Sequence, residues 1–357
     1  MVAKQQHTSP DVFLIHPGET IYEVIQDRNI SQKELAIRTG YTEKHISTII
    51  NGQKNISAEF AKKLEYALNI PASFWRNLQT NYDLEVVEFN EKHSITEKES
   101  QIAKEIKQTV ELITGKSFKS NQGIGPVYEM RKFLGVSNLC SILTLNPPRF
   151  RAKFQKNTSE HIMSTWQYLC GKKVENQTDA PLNIGKLIQS IDEIKQIMHE
   201  PDSTKHKKMI QEVLNRSGVL FTVEKHGKNT PINGLTAKTK NNQVMIALTL
   251  RLKYVDVFWF TLFHEIGHVI AKDYLRDQSI WDEIDKIEER ANKFAADVLI
   301  DSQKYKIFIA RKDFSNSAIE NFAKENNVLP TIVYGRLMHD GIKPWYSFNR
   351  DTYEWIR

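Results

Sequence analysis

Two histidines four residues apart, with a glutamate directly after the first, stand in Thr261-Leu-Phe-His264-Glu265-Ile-Gly267-His268-Val-Ile-Ala271. No proline interrupts the run from Tyr254 to Asp273, so the segment reads as helix. Residues four apart on a helix share a face, and both imidazoles then reach one metal ion. Glu265 sits beside that ion, where a carboxylate takes a proton from a bound water. Phe258, Leu262, Ile266, Val269 and Ile270 are apolar and tie the helix to a core, while small Gly267 leaves room near the metal. A catalytic zinc needs a third protein ligand and one open position. Ile287-Glu288-Glu289-Arg-Ala291-Asn292-Lys-Phe-Ala295-Ala296 offers it. Glu288, Ala291, Asn292 and Ala295 fall on one face at helical spacing. Glu288 is the expected ligand and Glu289 the fallback. The alanines let this helix approach the first closely, and Asn292 is placed to hydrogen-bond a ligand histidine. One Zn2+ per chain is expected.

The run Phe258-Trp-Phe-Thr-Leu-Phe-His-Glu-Ile-Gly-His268, then Glu288 to Ala296, then Thr331-Ile-Val-Tyr-Gly-Arg-Leu337, resembles the ImmA/IrrE family of zinc metallopeptidases. The resemblance implies a zincin-like fold. It implies metal ligation by His264, His268 and Glu288, with Glu265 as general base. The family often has Leu-Ile-Pro or Leu-Met-Pro after this second helix, whereas here Leu299-Ile300 is followed by Asp301. That departure touches a helix stop rather than the metal. Tyr334, Arg336 and His339 are candidate oxyanion helpers, although Gly335-Arg336-Leu337 also suits simple packing of the last helices.

A second chemical signal lies near the N-terminus. Ser31 is a good N-cap, and Glu34 three residues later suits a capping box. Leu35 and Ala36 face inward, Gly40 allows a sharp turn, Thr42 caps the next helix, and Ile46, Ile49 and Ile50 form its buried stripe before Gly52. Two short helices around a glycine turn match a helix-turn-helix, whose second helix enters the DNA major groove. His16-Pro17-Gly18-Glu19 opens a preceding helix. Ala58 to Leu68 and Pro71 to Leu84 complete the unit. From His16 to Leu84 the chain resembles the HigA-type antitoxin branch of the Xre helix-turn-helix family. Such domains commonly dimerise and read a palindrome. The resemblance implies phosphate contacts from Gln32 and Asn51 and base contacts from Glu43, Lys44 and Thr48, with Thr42, His45 and Ser47 at the margin. Donor and acceptor geometry suits Glu43 to cytosine and Lys44 to guanine.

Charge tempers the DNA reading. The chain carries a formal +6, yet residues 1–85 hold nine Lys/Arg against ten Asp/Glu. DNA affinity comes largely from neutralised phosphates, so a near-neutral domain needs dimerisation and helix N-termini to bind. The surplus lies between Lys104 and Lys225, with 19 Lys/Arg against 12 Asp/Glu and no basic cluster interleaved with aromatics.

The fold class expected is mainly α with a small β-sheet. Three regions are read: a lambda-repressor-like helix-turn-helix bundle over 1–90, a helical connecting or sensor region over 91–215, and a zincin-like metallopeptidase domain over 216–357. In the middle, Ile95 to Ile113, Val127 to Leu134, Ser159 to Leu169, Ile184 to His199 and Thr204 to Leu214 read as helices, and Val86 to His93 is a polar stretch compatible with helix. Phe150 to Asn157 with Trp166 resembles the segment joining the two modules of long fused ImmA/IrrE proteins. Strands are expected at Val219 to Glu224, Asn233 to Lys238 and Val244 to Thr249. Within the second, Gly234 to Lys238 offers an edge for an extended peptide, on the strength of polar outward residues. Cys140 and Cys170 lack metal-type spacing, which favours a reducing cytoplasm. No apolar run approaches the ~20 residues of a membrane span, and no signal peptide is visible.

Three functions fit these features. The first is a DNA-binding regulator fused to a zinc endopeptidase that cleaves a protein partner. The second is a HigA-like autorepressor whose peptidase-like domain mainly binds or senses. The third is a pure adaptor, which the set His264, Glu265, His268 and Glu288 argues against. The expected partners are double-stranded operator DNA, a protein substrate or cognate toxin, and a second copy of the chain.

Overall fold

A computed structural model describes residues 14–118, 125–147, 159–227, 232–275, 284–344 and 350–353. The segment Phe150 to Asn157 lies outside the described residues. The chain divides into two units, Met1–Thr96 and Glu97–Arg357.

The described residues of the first unit form five helices: α1 Pro17–Asp27, α2 Gln32–Thr39, α3 Glu43–Ile50, α4 Ala58–Leu68 and α5 Ala72–Ser94. Each of the first four starts at a side-chain cap, supplied by His16, Ser31, Thr42 and Ser57. The capping box at α2 is half formed. Ser31 Oγ accepts from the Glu34 N–H at 3.1 Å, but the Glu34 carboxylate turns one helical turn on to Arg38. Gly40 ends α2 at φ 72°, a left-handed conformation that favours glycine. The apolar stripes meet in one core of Ile21, Ile25, Leu35, Ile46, Ile49, Phe60, Leu64 and Trp75. Buried Gln79 ties the chain after α3 to α5: its Oε1 accepts from the Ile56 N–H at 2.8 Å. The polar stretch 86–93 simply continues α5.

The second unit opens with α6 Glu97–Thr114, α7 Gly125–Leu134, α8 Ile142–Leu145, α9 Glu160–Val174, α10 Ile184–Gln189, α11 Ile191–Ile197 and α12 His206–Arg216. The single helix expected over 184–199 is broken at Ser190, whose hydroxyl donates to the Leu187 carbonyl at 2.9 Å. Strands β1 Val219–Glu224, β2 Gly234–Lys238 and β3 Val244–Thr249 form a sheet in the order β1-β3-β2. β1 runs parallel to β3, and β2 runs antiparallel to it. β1 and β3 are buried along their whole length, which explains their continuous apolar runs. Val219, Phe221, Val223, Val244, Ile246 and Leu248 enter the core that also holds Trp259, Phe263 and Ile266. β2 is one of the two outer strands, but its central Leu235, Thr236 and Ala237 are buried, so polar exposure is not what marks that edge.

The helices that follow carry the candidate chemistry: α13 Val255–Ile270, α14 Ile284–Leu299, α15 Ser302–Ala310, α16 Asn316–Glu325 and α17 Pro330–His339. Asp301, at the departure noted above, caps α15 by accepting from the N–H groups of Gln303 at 3.0 Å and Lys304 at 2.8 Å. The ammonium of Lys195 donates to the carbonyls of Val298 and Asn326, each at 2.9 Å, and so holds the C-terminal end of α14. Residues 350–353 return to the start of α13. The Tyr353 N–H donates to the Lys253 carbonyl, and Arg350 grips Asp256 with two nitrogens. Among the described residues no helix is long and apolar enough to cross a membrane.

Candidate metal centre and helix-turn-helix surface

α13 presents His264 and His268 one turn apart, and α14 brings Glu288 against them. His264 Nε2 lies 3.0 Å from His268 Nε2 and 3.2 Å from Glu288 Oε2, and His268 Nε2 lies 3.6 Å from Glu288 Oε1. One ligand atom from each of the three residues falls within 4.8 Å of the others. The small face of α14 allows this approach, since Ala291 and Ala295 are buried. Glu289 is exposed on the same cavity wall. Gly267 serves a different neighbour from the one its spacing suggested. A Cβ there would lie 3.0 Å from the ring of Phe294, so its room goes to helix packing rather than to the metal.

The outer contacts fix the imidazole protons. His264 Nδ1 faces Asn292 Oδ1 at 2.9 Å, and His268 Nδ1 faces Asp273 Oδ2 at 2.9 Å. These oxygen acceptors suit the tautomer with the proton on each Nδ1, in which both Nε2 lone pairs aim at the space shared with the Glu288 carboxylate. Two neutral imidazole nitrogens and one carboxylate are a donor set that fits zinc with a fourth position left over. Asp273 is itself held by Arg290. Asp273 lay outside the sequence reading, although an aspartate just past the helix end was a visible signal.

Glu265 is buried. Its Oε2 accepts from the Thr236 hydroxyl of β2 at 2.7 Å. Burial pushes its carboxyl above the ordinary carboxylate range, against the pull of both histidines and the Thr236 hydroxyl. Gly234 is required at the start of β2, because a Cβ there would stand 2.6 Å from Glu265 Oε1. Neither Thr236 nor Gly234 was legible as a neighbour of Glu265, since the contact spans 29 residues of chain.

Of these groups, Gly234, His264, Glu265, Glu288 and Asn292 line a cavity of about 970 Å³ between α13, α14 and α17. Val257, Phe260, Ala296, Ile300 and Ile332 form its apolar part, and Arg336 and His339 line it from α17. Arg336 Nε donates to Asp340 at 2.9 Å, with its guanidinium over the Tyr305 ring. Tyr334 is buried and its hydroxyl turns to Asn316, away from the cavity. Gly335 packs against Asp256 of α13.

In the first unit, Glu43 and Lys44 are exposed at the start of α3, and Ser47, Thr48 and Asn51 continue the same face half-buried. Thr42 Oγ1 accepts from the His45 N–H at 3.2 Å, so its hydroxyl is committed to the cap. Asn51 Nδ2 donates to Ser47 Oγ at 3.2 Å. His45 turns back from that face, stacks on Tyr41 with ring centroids 4.5 Å apart, and meets Phe60 edge-on. Gln32 is the half-buried first residue of α2.

Comparison with known proteins agrees with both halves. The family described as "Helix-turn-helix" matches residues 21–75, and the family described as "IrrE N-terminal-like domain" matches residues 254–338. The chain belongs to the Xre-type helix-turn-helix family through its N-terminal unit and carries a C-terminal peptidase-like domain of the ImmA/IrrE type. Virulence-associated protein A' of Dichelobacter nodosus is 40% identical over 73 residues, which are 20% of this chain and 64% of that protein. Virulence-associated protein I of the same organism is 34% identical over 82 residues, 23% of this chain and 75% of that protein. The antitoxin HigA of Pseudomonas aeruginosa, solved with the higBA promoter, is 30% identical, with 24% of this chain and 98% of that one covered and a TM-score of 0.22. The chain thus joins a DNA-binding domain to a peptidase-like domain.

Proposed function

We propose that the chain is a DNA-binding transcriptional regulator whose second unit is a zinc-dependent endopeptidase acting on a protein partner. The observation that carries this reading is the convergence of ligand atoms of His264, His268 and Glu288 within 4.8 Å, at a cavity that His264, Glu265 and Glu288 line. Zinc held by those three residues would polarise the peptide carbonyl and lower the pKa of the attacking water. Glu265 takes that water's proton on its carboxylate and returns it to the leaving nitrogen. Asn292 and Asp273 hold the two imidazoles in the ligating tautomer. The apolar strip from Phe260 to Ile332 seats substrate side chains, and the β2 edge pairs with substrate backbone.

The first unit binds a palindromic operator as a homodimer. Glu43, Lys44 and Thr48 of α3 face the base edges, with Thr42, His45 and Ser47 at the margin, and Gln32 and Asn51 touch phosphates. The protein partner is a repressor-type substrate or a cognate toxin, met in the cytoplasm. His264→Ala should lose most bound zinc, and Glu265→Gln should keep zinc while abolishing cleavage of a substrate found by proteome comparison. Metal content in His264→Ala equal to the parent's would end the zinc reading. Cleavage at the parental rate in Glu265→Gln would leave the peptidase-like domain without this base.

A further inference from the structure

The cavity accounts for Glu265 only as a carboxylate near the histidines, yet two residues of the neighbouring strand touch it. Gly234 pairs with Leu248 and Thr236 with Ile246, so both stand on the face of β2 that meets α13. Thr236 is buried, and its hydroxyl is placed to donate to Glu265 Oε2 at 2.7 Å, with the Glu265 carbonyl at 3.1 Å. Gly234 lines the cavity, and a Cβ on it would reach 2.6 Å from Glu265 Oε1 and 2.8 Å from Cγ.

We propose that Gly234 and Thr236 form the cradle that positions the Glu265 carboxylate, Thr236 fixing Oε2 and Gly234 keeping Oε1 open to the cavity. This rests on Glu265 as the base, and it adds which oxygen does the work. Oε2 is held by the hydroxyl, while Oε1 lies beside Gly234 on the cavity lining, so Oε1 is the oxygen placed to accept the water proton. The arrangement has a physical motive. A glutamate has three side-chain torsions, and a general base within hydrogen-bond reach of its proton in one rotamer is out of reach in most others. A hydroxyl bonded to a carboxylate is among the stronger hydrogen bonds, and burial strengthens it further. Thr236 is a positioning residue, since it acts through Glu265. Gly234 is a steric one, as any side chain there would occupy the space beside Oε1.

The test uses the full chain in three forms. With zinc bound and a cleaved substrate in hand, Thr236→Val should lower kcat roughly tenfold to hundredfold with KM within twofold, the scale expected of a misplaced catalytic group. Thr236→Ser, which keeps the hydroxyl, should recover to within about threefold of the parent. Gly234→Ala should lower kcat at least as far as Thr236→Val, with zinc content unchanged. The second readout needs neither zinc nor turnover. In the metal-free chain, amide hydrogen exchange across Gly234–Lys238 should rise roughly tenfold in Thr236→Val, through loss of the charge-assisted bond. In a Glu265→Ala background the same substitution should change exchange by less than about twofold. Equal exchange effects in both backgrounds would overturn the cradle, whatever the fate of the peptidase reading. So would a Thr236→Ser chain as slow as Thr236→Val. Loss of zinc or of all cleavage in the parent would instead strike the peptidase reading and leave the exchange cycle to decide the cradle.

Discussion

Asp273 gives the sharpest test of the metal centre, because neither spacing nor resemblance pointed to it. Its Oδ2 lies 2.9 Å from His268 Nδ1, its side chain is 8% exposed, and Arg290 holds its other oxygen. Asp273→Ala removes the acceptor that keeps the His268 proton on Nδ1 and the ring aimed at Glu288. Losing such an orienting partner weakens metal binding by ~10- to 100-fold. That is about 1.4 to 2.7 kcal/mol. Asp273→Asn keeps the shape and can still present an oxygen to Nδ1, but loses the negative charge. It should fall at the mild end, about tenfold. Arg290→Ala is the control. Its guanidinium is 46% exposed, and such pairs contribute little, so a change below about threefold is expected. The assay is zinc competition against a chromogenic chelator at fixed pH, with circular dichroism confirming the fold. A zinc affinity for folded Asp273→Ala within twofold of the parent would refute the argument that outer carboxylates set the tautomer here.

Other outcomes follow from the same structure. His16 caps α1 by accepting from the Gly18 N–H at 2.9 Å, and burial lowers its pKa, opposed by the charge of Asp83. The folded state therefore holds fewer protons on His16 than the unfolded state. Its contribution is full above the unfolded pKa of about 6.5 and is lost as pH falls below that through the folded value. Thermal unfolding of the first unit should show this loss between pH 7.5 and 5.5, and a His16→Asn chain should show less of it. Lys44→Ala should relax base preference at one position per half-site by ~1–3 kcal/mol, while Gln32→Ala should weaken all sequences alike, both read by footprinting. Tyr353→Phe removes the hydroxyl that receives the Trp259 Nε1–H at 2.7 Å and meets His206 Nδ1 at 2.9 Å. With two buried polar atoms stripped of that partner, denaturant unfolding of the second unit should show a loss of about 2 kcal/mol.

How much of this was legible depended on the distance over which each signal acts. The caps Ser31 and Thr42, the turn at Gly40 and the stripe Ile46, Ile49 and Ile50 are local, and each stands in the structure where its spacing placed it. The same is true of the three strands and of His264 and His268 on one helix. Periodicity is a property of a few consecutive residues, so sequence carries it whole. It also named Glu288 and Asn292, since once two helices face each other their spacing selects the inward residues.

What tertiary structure decided was everything set by the meeting of distant segments. Gly267 looked like room for a metal and proved to be room for Phe294, which only the crossing of α13 and α14 determines. That the His45 ring packs on Tyr41 and on Phe60 of α4 is likewise set by the meeting of helices, not by its place at the start of α3. The chain itself determined which residues hold chemistry and on which element each rides. The fold alone decided that Thr236 would stand against Glu265, because a hydrogen bond depends on separation in space, and across 29 residues of chain sequence fixes that only through the packing of the whole unit.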